Sequence, residues 1–407
     1  MSENSKIVTF AELVERGVLE IGDGYRAKLD ELGGNGPIFL RAGLLTHQGL
    51  IWEPAERFHA HLAAKVKSKL GLPGDTIVTT KGNSVGRAGY VPRHAPDFVY
   101  SPHLSYWRSL RHNELDPMFL RYWVQGEEFL SQLAAMASST DMAPYLSLRD
   151  QARLRVTLPD ICSQKSVVAV LGALDEKIAV NDRTGRTSLL LADVLFRAEV
   201  ANSCYGMATF GSMAQVFGGG TPSTSESKYW DGNIAWTTPS DVTALSSPYL
   251  FGTSRTITQA GLDSCASRLY PPGSILMTSR ATIGAFAVSE IPAAVNQGFI
   301  VVVPPNARLR WWLFHEMRSR VDDMVGIANG STFLELSRRN FKAMPVRLCA
   351  DERMQVFADT VGPLHDSAAR TAQQSRTLAV LRDTLLPQLM SGEIRVQDAK
   401  KVVEDVT

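Results

Sequence analysis

The sequence has few cysteines and no long apolar run, and each absence excludes a class of protein. Its four cysteines, Cys162, Cys204, Cys265 and Cys349, lie far apart, and no C-x-x-C pair occurs. This spacing indicates neither a zinc site nor a disulfide framework. No run of about eighteen apolar residues is present, so we expect no membrane-spanning helix and no membrane partner. The N-terminal Met1-Ser2-Glu3 is not followed by an apolar signal core, which predicts a cytoplasmic protein.

The chain also lacks the motifs with which many enzymes bind nucleotides and metals. It contains no G-x-x-x-x-G-K-[ST] phosphate loop and no glycine-rich cofactor loop after a strand. His315-Glu316 lacks the second histidine of a zinc-protease motif, and His59-Ala60-His61 has no third histidine or cysteine nearby. The formal net charge of +1 indicates no partner by itself. We therefore expect that this chain binds no cofactor and no metal.

One stretch of about forty residues occurs twice along the chain. Residues 158–195 align without a gap on residues 348–385, at a constant offset of 190 positions. The identical pairs include Leu158 with Leu348 and Gly172 with Gly362. Self-similarity at so long a period is typical of a duplicated architecture.

Both copies carry a set of mainly apolar residues, with polar or small ones in its middle, at alternating spacings of three and four, which is the pattern of a helix packed along another helix. The first copy has Leu171, Leu174, Ile178, Asn181, Gly185, Ser188, Ala192 and Leu195, and the second has Val361, Leu364, Ala368, Thr371, Ser375, Leu378, Arg382 and Leu385. We predict two long helices that pair with each other. The alternative is two unrelated surface helices.

The segments before the two repeated stretches are predicted to be two versions of one mixed α/β unit. In the first, Pro73-Gly74-Asp75 precedes a predicted strand at 76–80 and a glycine-rich loop at 81–87. In the second, Pro272-Gly273-Ser274 precedes a predicted strand at 275–278 and a loop at 279–284. Helices are predicted at 54–70, 117–137 and 308–324, and a turn at 229–236. The predicted plan is a first unit at 1–157, a first helix at 158–205, a second unit at 206–347, a second helix at 348–396 and a tail at 397–407.

Small and hydroxyl residues lie beside basic side chains in both loops, which predicts contacts with an anion. Glycine and hydroxyl residues let backbone N–H groups approach a phosphate, and a basic side chain completes the contact. Arginine, asparagine and glutamine can also bond to base edges through two hydrogen bonds. The candidates are Lys81, Gly82, Asn83, Ser84 and Arg87 in the first unit and Thr221, Ser223, Ser279, Arg280, Thr282 and Asn296 in the second. Ordinary solvated turns are the alternative interpretation.

Residues 82–86 also match the G-x-S-x-G nucleophile elbow of serine hydrolases, and they follow a predicted strand. A hydrolase requires a helix directly after the elbow, whereas residues 87–92 have a composition that disfavours a helix. The corresponding loop of the second unit has Ala281-Thr282 in place of the nucleophile. A hydrolase that uses Ser84 is therefore an alternative function that this loop alone suggests.

Several motifs together resemble one known family. They are Leu158-Pro159 with Gln164, Leu171-x-x-Leu174-Asp175-Glu176-Lys177-Ile178-x-x-Asn181, Leu381-Arg382-Asp383-x-Leu385-Leu386-Pro387-x-Leu389-x-Ser391-Gly392-Glu393-Ile394, Gly219-Gly220-Thr221-Pro222-Ser223 with Tyr229-Trp230, Pro272-Gly273, and Asn296-Gln297-Gly298. The first unit matches more loosely, through Gly22-Asp23-Gly24 and Lys81-Gly82. With these motifs the chain resembles the DNA-specificity subunits of type I restriction–modification enzymes.

The resemblance implies an α+β fold with an internal pseudo-two-fold repeat. Two mixed α/β target-recognition domains would be separated by two long antiparallel helices that form a coiled-coil spacer. Each domain would read one half of a bipartite site in double-stranded DNA, and the chain itself would not be catalytic. An orphan DNA-binding regulator, or a subunit that serves methylation only, is the alternative within this interpretation.

The resemblance also implies partner subunits and places the cofactors on them. The chain would hold two S-adenosylmethionine-dependent adenine methyltransferase subunits, on which ATP-dependent restriction subunits assemble. S-adenosylmethionine, ATP and magnesium are accordingly expected on the partners. The helix residues expected to dock these subunits are Leu171, Leu174, Ile178, Leu364, Leu381, Leu385 and Leu386.

Overall fold

The computed structural model describes residues 5–46, 49–82, 84–137, 145–201, 203–330 and 334–405. The chain divides into two compact units. The first unit comprises residues 1–176 and 378–407, and the second comprises residues 177–377. Both divisions lie inside long helices, so each long helix contributes one segment to each unit.

The strands of both units are short, with two to eight residues each. Those of the first unit are β1 (Lys6–Thr9), β2 (Leu19–Asp23), β3 (Ile38–Leu40), β4 (Leu45–Thr46), β5 (Gly49–Leu50), β6 (Thr76–Thr79), β7 (Ala88–Tyr90), β8 (Phe98–Tyr100), β9 (Leu104–Ser109) and β10 (Arg155–Leu158). Those of the second unit are β11 (Cys204–Thr209), β12 (Gln215–Phe217), β13 (Trp230–Thr237), β14 (Tyr249–Leu250), β15 (Arg255–Ile257), β16 (Ile275–Thr278), β17 (Phe286–Ser289), β18 (Ala293–Val295), β19 (Phe299–Val303) and β20 (Pro345–Leu348).

Two helices are much longer than the others. In chain order the helices are α1 (Phe10–Glu15), α2 (Ala63–Val66), α3 (Pro117–Trp123), α4 (Glu127–Ala137), α5 (Leu148–Ala152), α6 (Ile161–Val200), α7 (Phe210–Met213), α8 (Pro239–Thr243), α9 (Gln259–Asp263), α10 (Ala307–Ser319), α11 (Val321–Gly326), α12 (Arg338–Ala343), α13 (Asp351–Ser391) and α14 (Val396–Glu404). Helix α6 has 40 residues and α13 has 41, and they contain the repeated stretch.

The two units share one pattern of strand pairing. Strand β6 lies between β9 and β7 in an antiparallel sheet, as β16 lies between β19 and β17. A parallel pair, β3 with β8, has its counterpart in β13 with β18. The strand that leads into each long helix pairs with the first strand of its own unit, β10 with β1 and β20 with β11. These recurrences confirm the predicted duplication of a mixed α/β unit.

Aromatic cores hold each unit together. In the first unit the ring of Phe10 lies 5.0 Å from that of Trp107 and 5.3 Å from that of Trp123. In the second unit Phe196 of α6 lies 5.2 Å from Trp312 and 5.8 Å from Phe357 of α13. All six aromatic residues are at most 3% exposed, so burial of aromatic surface is a main source of stability in both units.

The segments of the two long helices are joined in both units, and those of the second unit run antiparallel. In the first unit Arg382 pairs with Asp175 at 2.9 Å. In the second unit the Asn181 amide donates to Gln374 at 2.9 Å, and Arg353 pairs with Glu199 at 2.8 Å. Positions that increase along α6 thus meet positions that decrease along α13.

The predicted helix seam is confirmed by burial. Leu171, Leu174, Asn181, Gly185 and Ala192 are all buried. A Cβ atom at Gly185 would lie 3.1 Å from the Thr371 hydroxyl, so the missing side chain permits close approach of the two helices. The polar middle of the seam is satisfied by the hydrogen bonds that cross it.

Four local predictions differ from the structure because tertiary contacts override local periodicity. Residues 54–70 do not form one helix, because backbone hydrogen bonds join this segment to the region of β3. The Phe39 N–H donates to the Glu56 carbonyl at 2.8 Å, and the Phe58 N–H donates to the Pro37 carbonyl at 2.9 Å. Residues 229–236 are largely strand β13 rather than a turn. The predicted helices at 117–137 and 308–324 are each interrupted, near Gly126 and at Arg320.

Candidate nucleic-acid interface

The β6–β7 hairpin of the first unit is organised by Thr79, the last residue of β6. The Thr79 hydroxyl donates to the carbonyls of Ser84 and Arg87, the latter at 3.3 Å. The Gly86 N–H donates to the Thr79 carbonyl at 2.9 Å. Gly82 and Gly86 have φ of +81° and +83°, a backbone region that favours glycine. Asn83, another candidate, lies outside the described residues.

The β16–β17 hairpin of the second unit repeats this arrangement around Thr278. The Thr278 hydroxyl donates to the Thr282 carbonyl at 2.5 Å, and the Gly284 N–H donates to the Thr278 carbonyl at 3.0 Å. Gly284 has φ of +91°, and Ala281, in the place of Gly82, has φ of +58°. The two loops that the sequence pointed to therefore share one threonine-centred arrangement and differ in length by one residue.

Neighbouring loops of the second unit bring most of its candidate residues together. The Ser279 N–H donates to the Gly298 carbonyl at 2.8 Å, which joins the hairpin to the loop that contains Asn296. The Thr221 hydroxyl donates to the side chain of Gln297 in that same loop. The side-chain amide oxygen of Asn296 accepts the Gly298 N–H at 2.8 Å, whereas Gln297 is exposed. Gln297 is thus a better candidate than Asn296 for contact with an external ligand.

The first unit has corresponding backbone hydrogen bonds beside its own hairpin, but the side chains there are different. The Thr80 N–H donates to the His103 carbonyl at 2.9 Å, as Ser279 does to Gly298. The Tyr25 N–H donates to the Tyr100 carbonyl at 2.7 Å, as the Gly220 N–H does to Val295 at 3.0 Å. This correspondence places exposed Arg26 where the second unit has Thr221.

The sequence analysis did not identify Arg26 and His103 as candidate contact residues, although two glycines of the sequence point to Arg26. Gly24 and Gly219 both lie against a neighbouring strand end, where an added Cβ would come within 1.9 Å and 2.1 Å of a backbone carbonyl oxygen. Each glycine is therefore required by a close backbone approach. Aligning the two units on this pair of glycines would have identified Arg26.

The two hairpins differ in charge. The Lys81 ammonium lies 4.8 Å from the centre of the Tyr145 ring. Arg280 forms an ion pair with Glu335 at 2.8 Å, and both side chains are about half exposed, at 47% and 49%. An anion that binds Arg280 must therefore compete with Glu335, whereas Lys81 has no such carboxylate in the described ion pairs.

Arg87 is bonded within its own unit, and Ser84 is not part of a nucleophile elbow. The Arg87 guanidinium donates to the Leu45 carbonyl at 3.0 Å, and its Nε is buried without a hydrogen-bond partner. This bond stabilises the first unit and makes Arg87 a weaker candidate than Lys81 for a phosphate contact. After Ser84 the chain enters β7 instead of a helix, so the strand–turn–helix of a nucleophile elbow is absent there and the hydrolase alternative is wrong.

The remaining loop candidates of the second unit are accessible. Thr282 is exposed at the hairpin, with its carbonyl bound by Thr278. The Ser223 hydroxyl is exposed and lies 2.8 Å from that of Ser225, while the Ser223 carbonyl accepts the Trp230 indole N–H at 3.0 Å. Their hydroxyls remain available to an external hydrogen-bond partner.

Most of the leucines expected to dock partner subunits are engaged inside the chain. Leu171, Leu174, Leu385 and Leu386 are at most 5% exposed, and Ile178, Leu364 and Leu381 are half-buried. The four buried leucines are therefore not available to dock a partner subunit, because their side chains form the interior of the helix packing. The long helices expose other apolar residues, namely Leu190, Leu191 and Val194 in the second unit and Val380 in the first.

Asp175 links both long helices to the strand-rich part of the first unit. It accepts the Tyr122 hydroxyl at 2.7 Å and pairs with Arg121 at 3.1 Å and Arg382 at 2.9 Å. Burial, followed by the nearby charge and hydrogen bond of Asp175, raises the pKa of the Tyr122 hydroxyl. The motif residue Asp175 thus has a structural function at the base of the helix pair.

Among the residues that the structure describes, no helix has the length and apolar character needed to cross a bilayer. No cluster of three or more histidine, cysteine, aspartate or glutamate side chains in those residues is arranged to hold a metal ion.

Comparison with known proteins assigns the second unit to a family. Residues 204–376 match the family model of the type I restriction modification DNA specificity domain. The type I restriction enzyme MjaIX specificity subunit of Methanocaldococcus jannaschii is 32% identical over 168 residues, which are 41% of this chain and 39% of that protein. The HindI specificity subunit of Haemophilus influenzae is 22% identical over 191 residues, or 46% of this chain and 41% of that protein. The matched part thus spans about two fifths of each relative's length.

A solved structure extends the likeness in fold to the rest of the chain. The S subunit of a type I restriction–modification system from M. genitalium superposes with a TM-score of 0.60, covering 96% of this chain and 97% of that one, at 15% sequence identity. At this identity the likeness concerns the fold alone. These matches identify residues 204–376 as similar to the type I restriction modification DNA specificity domain, and they show that nearly the whole chain has a fold like that of an S subunit.

Proposed function

We propose that this chain determines the DNA sequence recognised by a type I restriction–modification complex. Each unit would read one half of a bipartite site in double-stranded DNA. The observation that carries the proposal is the recurrence, in the first unit, of the strand pairing and threonine-centred hairpin of the matched DNA specificity domain. Two copies of one recognition module can read two half-sites.

The loops beside the two hairpins are the proposed DNA-contacting surface. In the second unit this surface includes Thr221, Ser279, Arg280, Thr282 and Gln297, and in the first unit it includes Arg26, Lys81 and His103. Hydroxyl, amide and cationic groups are the side chains that bond to phosphates and base edges. The ion pair with Glu335 holds the Arg280 guanidinium in place. A contact between Arg280 and DNA would therefore have a defined geometry.

The chain would act as a scaffold and not as a catalyst. We propose that two S-adenosylmethionine-dependent adenine methyltransferase subunits bind it and that ATP-dependent restriction subunits join the assembly. The exposed Leu190, Leu191 and Val194 of α6 support this, because apolar side chains grouped on an exposed helix mark interaction surfaces. S-adenosylmethionine, ATP and magnesium would be bound by the partners, and the complex would work in the cytoplasm.

Methylation mapping tests the proposal directly. The full chain is co-expressed with its cognate methyltransferase subunit in a host without adenine methylation of its own, and methylated adenines are mapped across the genome. We expect one bipartite motif that requires the chain. Methylation that is absent, that lacks a defined motif, or that persists without this chain would contradict the proposal. DNA binding without a bound methyltransferase would instead favour the orphan regulator.

A further inference from the structure

We propose that Arg255 reads a guanine in the half-site of the second unit, with its guanidinium held flat on Trp230. This inference rests on the proposed DNA-binding function and deepens it. Arg255 is the first residue of β15, an edge strand of the three-stranded β15-β13-β18 sheet. None of the loop motifs in the sequence includes it.

The geometry is that of an arginine stacked on an aromatic platform. The guanidinium carbon of Arg255 lies 3.6 Å from the centre of the Trp230 ring and 5.8 Å from that of Trp236. The two indoles meet edge to face, with centroids 5.0 Å apart and planes at 85°. Trp230 and Trp236 are only 7% and 4% exposed, whereas Arg255 is exposed. The platform is therefore part of the core, and the arginine forms its outer surface.

Hydrogen bonds connect this platform to the proposed DNA-contacting loop. The Trp236 indole N–H donates to the Gly220 carbonyl at 3.1 Å, and the Trp230 indole N–H donates to the Ser223 carbonyl at 3.0 Å. Gly220 and Ser223 flank Thr221 and Pro222 in the sequence. The residues that support Arg255 thus also fix the loop of Thr221, so both belong to one surface.

The N–H groups of Arg255 are not used by a carboxylate in the described ion pairs. The nearby Asp241 is instead bound by the Thr238 hydroxyl at 2.7 Å and by the Ser254 N–H at 2.9 Å. Arg280, the other arginine of this surface, is already paired with Glu335. Arg255 therefore presents a cation whose donors are available and whose plane is set by stacking.

A fixed guanidinium plane favours a base contact over a phosphate contact. Guanine offers O6 and N7 as two acceptors in the major groove, and arginine binds them with two parallel N–H donors. Such bidentate recognition requires a defined orientation, which the Trp230 ring supplies. A phosphate contact requires only positive charge near the backbone, for which a flexible lysine serves as well.

The test compares Arg255→Lys and Arg255→Ala in the full chain assembled with its methyltransferase subunit. Binding is measured against a library of DNA duplexes in which the mapped site is randomised one base pair at a time, at several salt concentrations. Arg353→Ala is the matched control, because Arg353 is an exposed arginine of the same unit that pairs with Glu199 on the long helices. Thermal unfolding of each variant checks that the fold is retained.

We expect both Arg255 variants to lose a guanine preference at one position of one half-site by about ten- to a hundred-fold. The other half-site and the Arg353→Ala control should keep the wild-type preferences. If Arg255→Lys keeps the guanine preference while Arg255→Ala weakens binding to all sequences equally, the contact is to phosphate and the base assignment is overturned. Unchanged binding in both variants also overturns it. In these cases the wild-type complex still selects a bipartite site, whereas failure of the proposed function would leave the wild type without one.

Discussion

The Nε2 atoms of His315 and His365 lie 2.9 Å apart in the interior of the second unit. The bond belongs to a continuous chain, because His315 Nδ1 lies 2.7 Å from Asp193 and His365 Nδ1 lies 2.8 Å from the Tyr249 hydroxyl. Asp193 is on α6 and His365 on α13, while His315 is on α10. The chain therefore connects both long helices to the strand-rich core of the same unit.

Only one pattern of protons satisfies this chain with both histidines neutral and Asp193 charged. His315 donates from Nδ1 to Asp193 and accepts at Nε2 from His365, which in turn accepts at Nδ1 from Tyr249. Burial lowers the pKa of His315 despite the opposing effect of Asp193. Burial, with the repulsion of His315 and Arg318, lowers the pKa of His365 to about 2. Both imidazoles are thus held neutral in the folded protein.

We predict that stability falls as the pH decreases from about 6.5, the pKa of histidine in an unfolded chain. Below that pH the unfolded state binds more protons than the folded state, so acid favours unfolding. The expected slope is on the order of 1 kcal/mol per pH unit for His365, and His315 contributes in the same direction. Urea unfolding at pH 7.5, 6.5 and 5.5 measures it, above the range in which carboxylates titrate.

The variant His365→Gln should be less stable at pH 7.5 by about 1–3 kcal/mol, since the amide replaces the buried hydrogen bonds only in part. Its stability should nevertheless depend less on pH between 6.5 and 5.5. The control is His112→Gln, which removes an exposed histidine of the first unit. An identical pH dependence in the wild type and His365→Gln would contradict the prediction.

The hairpins predict a pair of opposite effects on stability. Gly82 and Ala281 occupy equivalent left-handed positions, with φ of +81° and +58°. Such a conformation costs a residue with a Cβ roughly 1–2 kcal/mol. Ala281→Gly should therefore raise the free energy of unfolding by up to about 1 kcal/mol, and Gly82→Ala should lower it by about 1 kcal/mol. Urea unfolding midpoints provide the measurement, and shifts in the same direction would refute the equivalence.

Lys81 and Arg280 are predicted to contribute to DNA affinity by different amounts. Lys81→Ala should weaken binding of the assembled complex to all sequences and lower the slope of log affinity against log salt by about one, because one phosphate contact is lost. Arg280→Ala should have a smaller effect on that slope, since Glu335 already neutralises Arg280. Binding titrations at several salt concentrations distinguish them. Equal slopes for Lys81→Ala and the wild type would exclude the phosphate contact.

For Arg87 we now predict an effect on stability instead of DNA binding. Arg87→Ala removes the hydrogen bond to the Leu45 carbonyl and should lower the free energy of unfolding by about 1–3 kcal/mol. The mapped recognition sequence should be unchanged. A relaxed base preference with unaltered stability would restore the original interpretation of Arg87 as a DNA contact.

If the long helices set the gap between the half-sites, lengthening them should lengthen the gap. Because Asn181 bonds to Gln374 and Ser375 to Asp182, an insertion must be made in both helices to preserve pairing, near Ala179 and near Thr377. Four residues extend a helix by about 6 Å and turn it by about 400°. At about 3.4 Å per base pair, the unread gap should grow by one to two base pairs.

Two-residue insertions at the same places are the control. They turn each helix by about 200°, so we expect them to abolish binding or to require bent DNA. Methylation mapping of both variants decides between these outcomes. An unaltered gap in the four-residue variant would mean that the helices do not determine the spacing. In any variant that still methylates DNA, the half-sites themselves should be unchanged.

Local and repeated patterns of the sequence determined much of the fold. The alternating spacing of Leu171, Leu174 and Ile178 was sufficient to predict a long packed helix, because a helix repeats its faces every three to four residues. The run Thr76-Ile77-Val78-Thr79 was sufficient to predict a buried strand, because β-branched residues favour that backbone. The constant offset between the two copies revealed the duplication, and the motifs pointed to the family that the chain resembles.

Only the tertiary structure decided which side chains face a ligand. Arg87 and Lys81 are similar in sequence context, yet Arg87 turns inward to Leu45 while Lys81 lies on the Tyr145 ring. Arg255 stacks on Trp230 because β15 pairs with β13, a pairing between strands that no local pattern encodes. Backbone propensity acts between near neighbours, whereas the direction of a side chain depends on strand register and packing between residues far apart in the sequence.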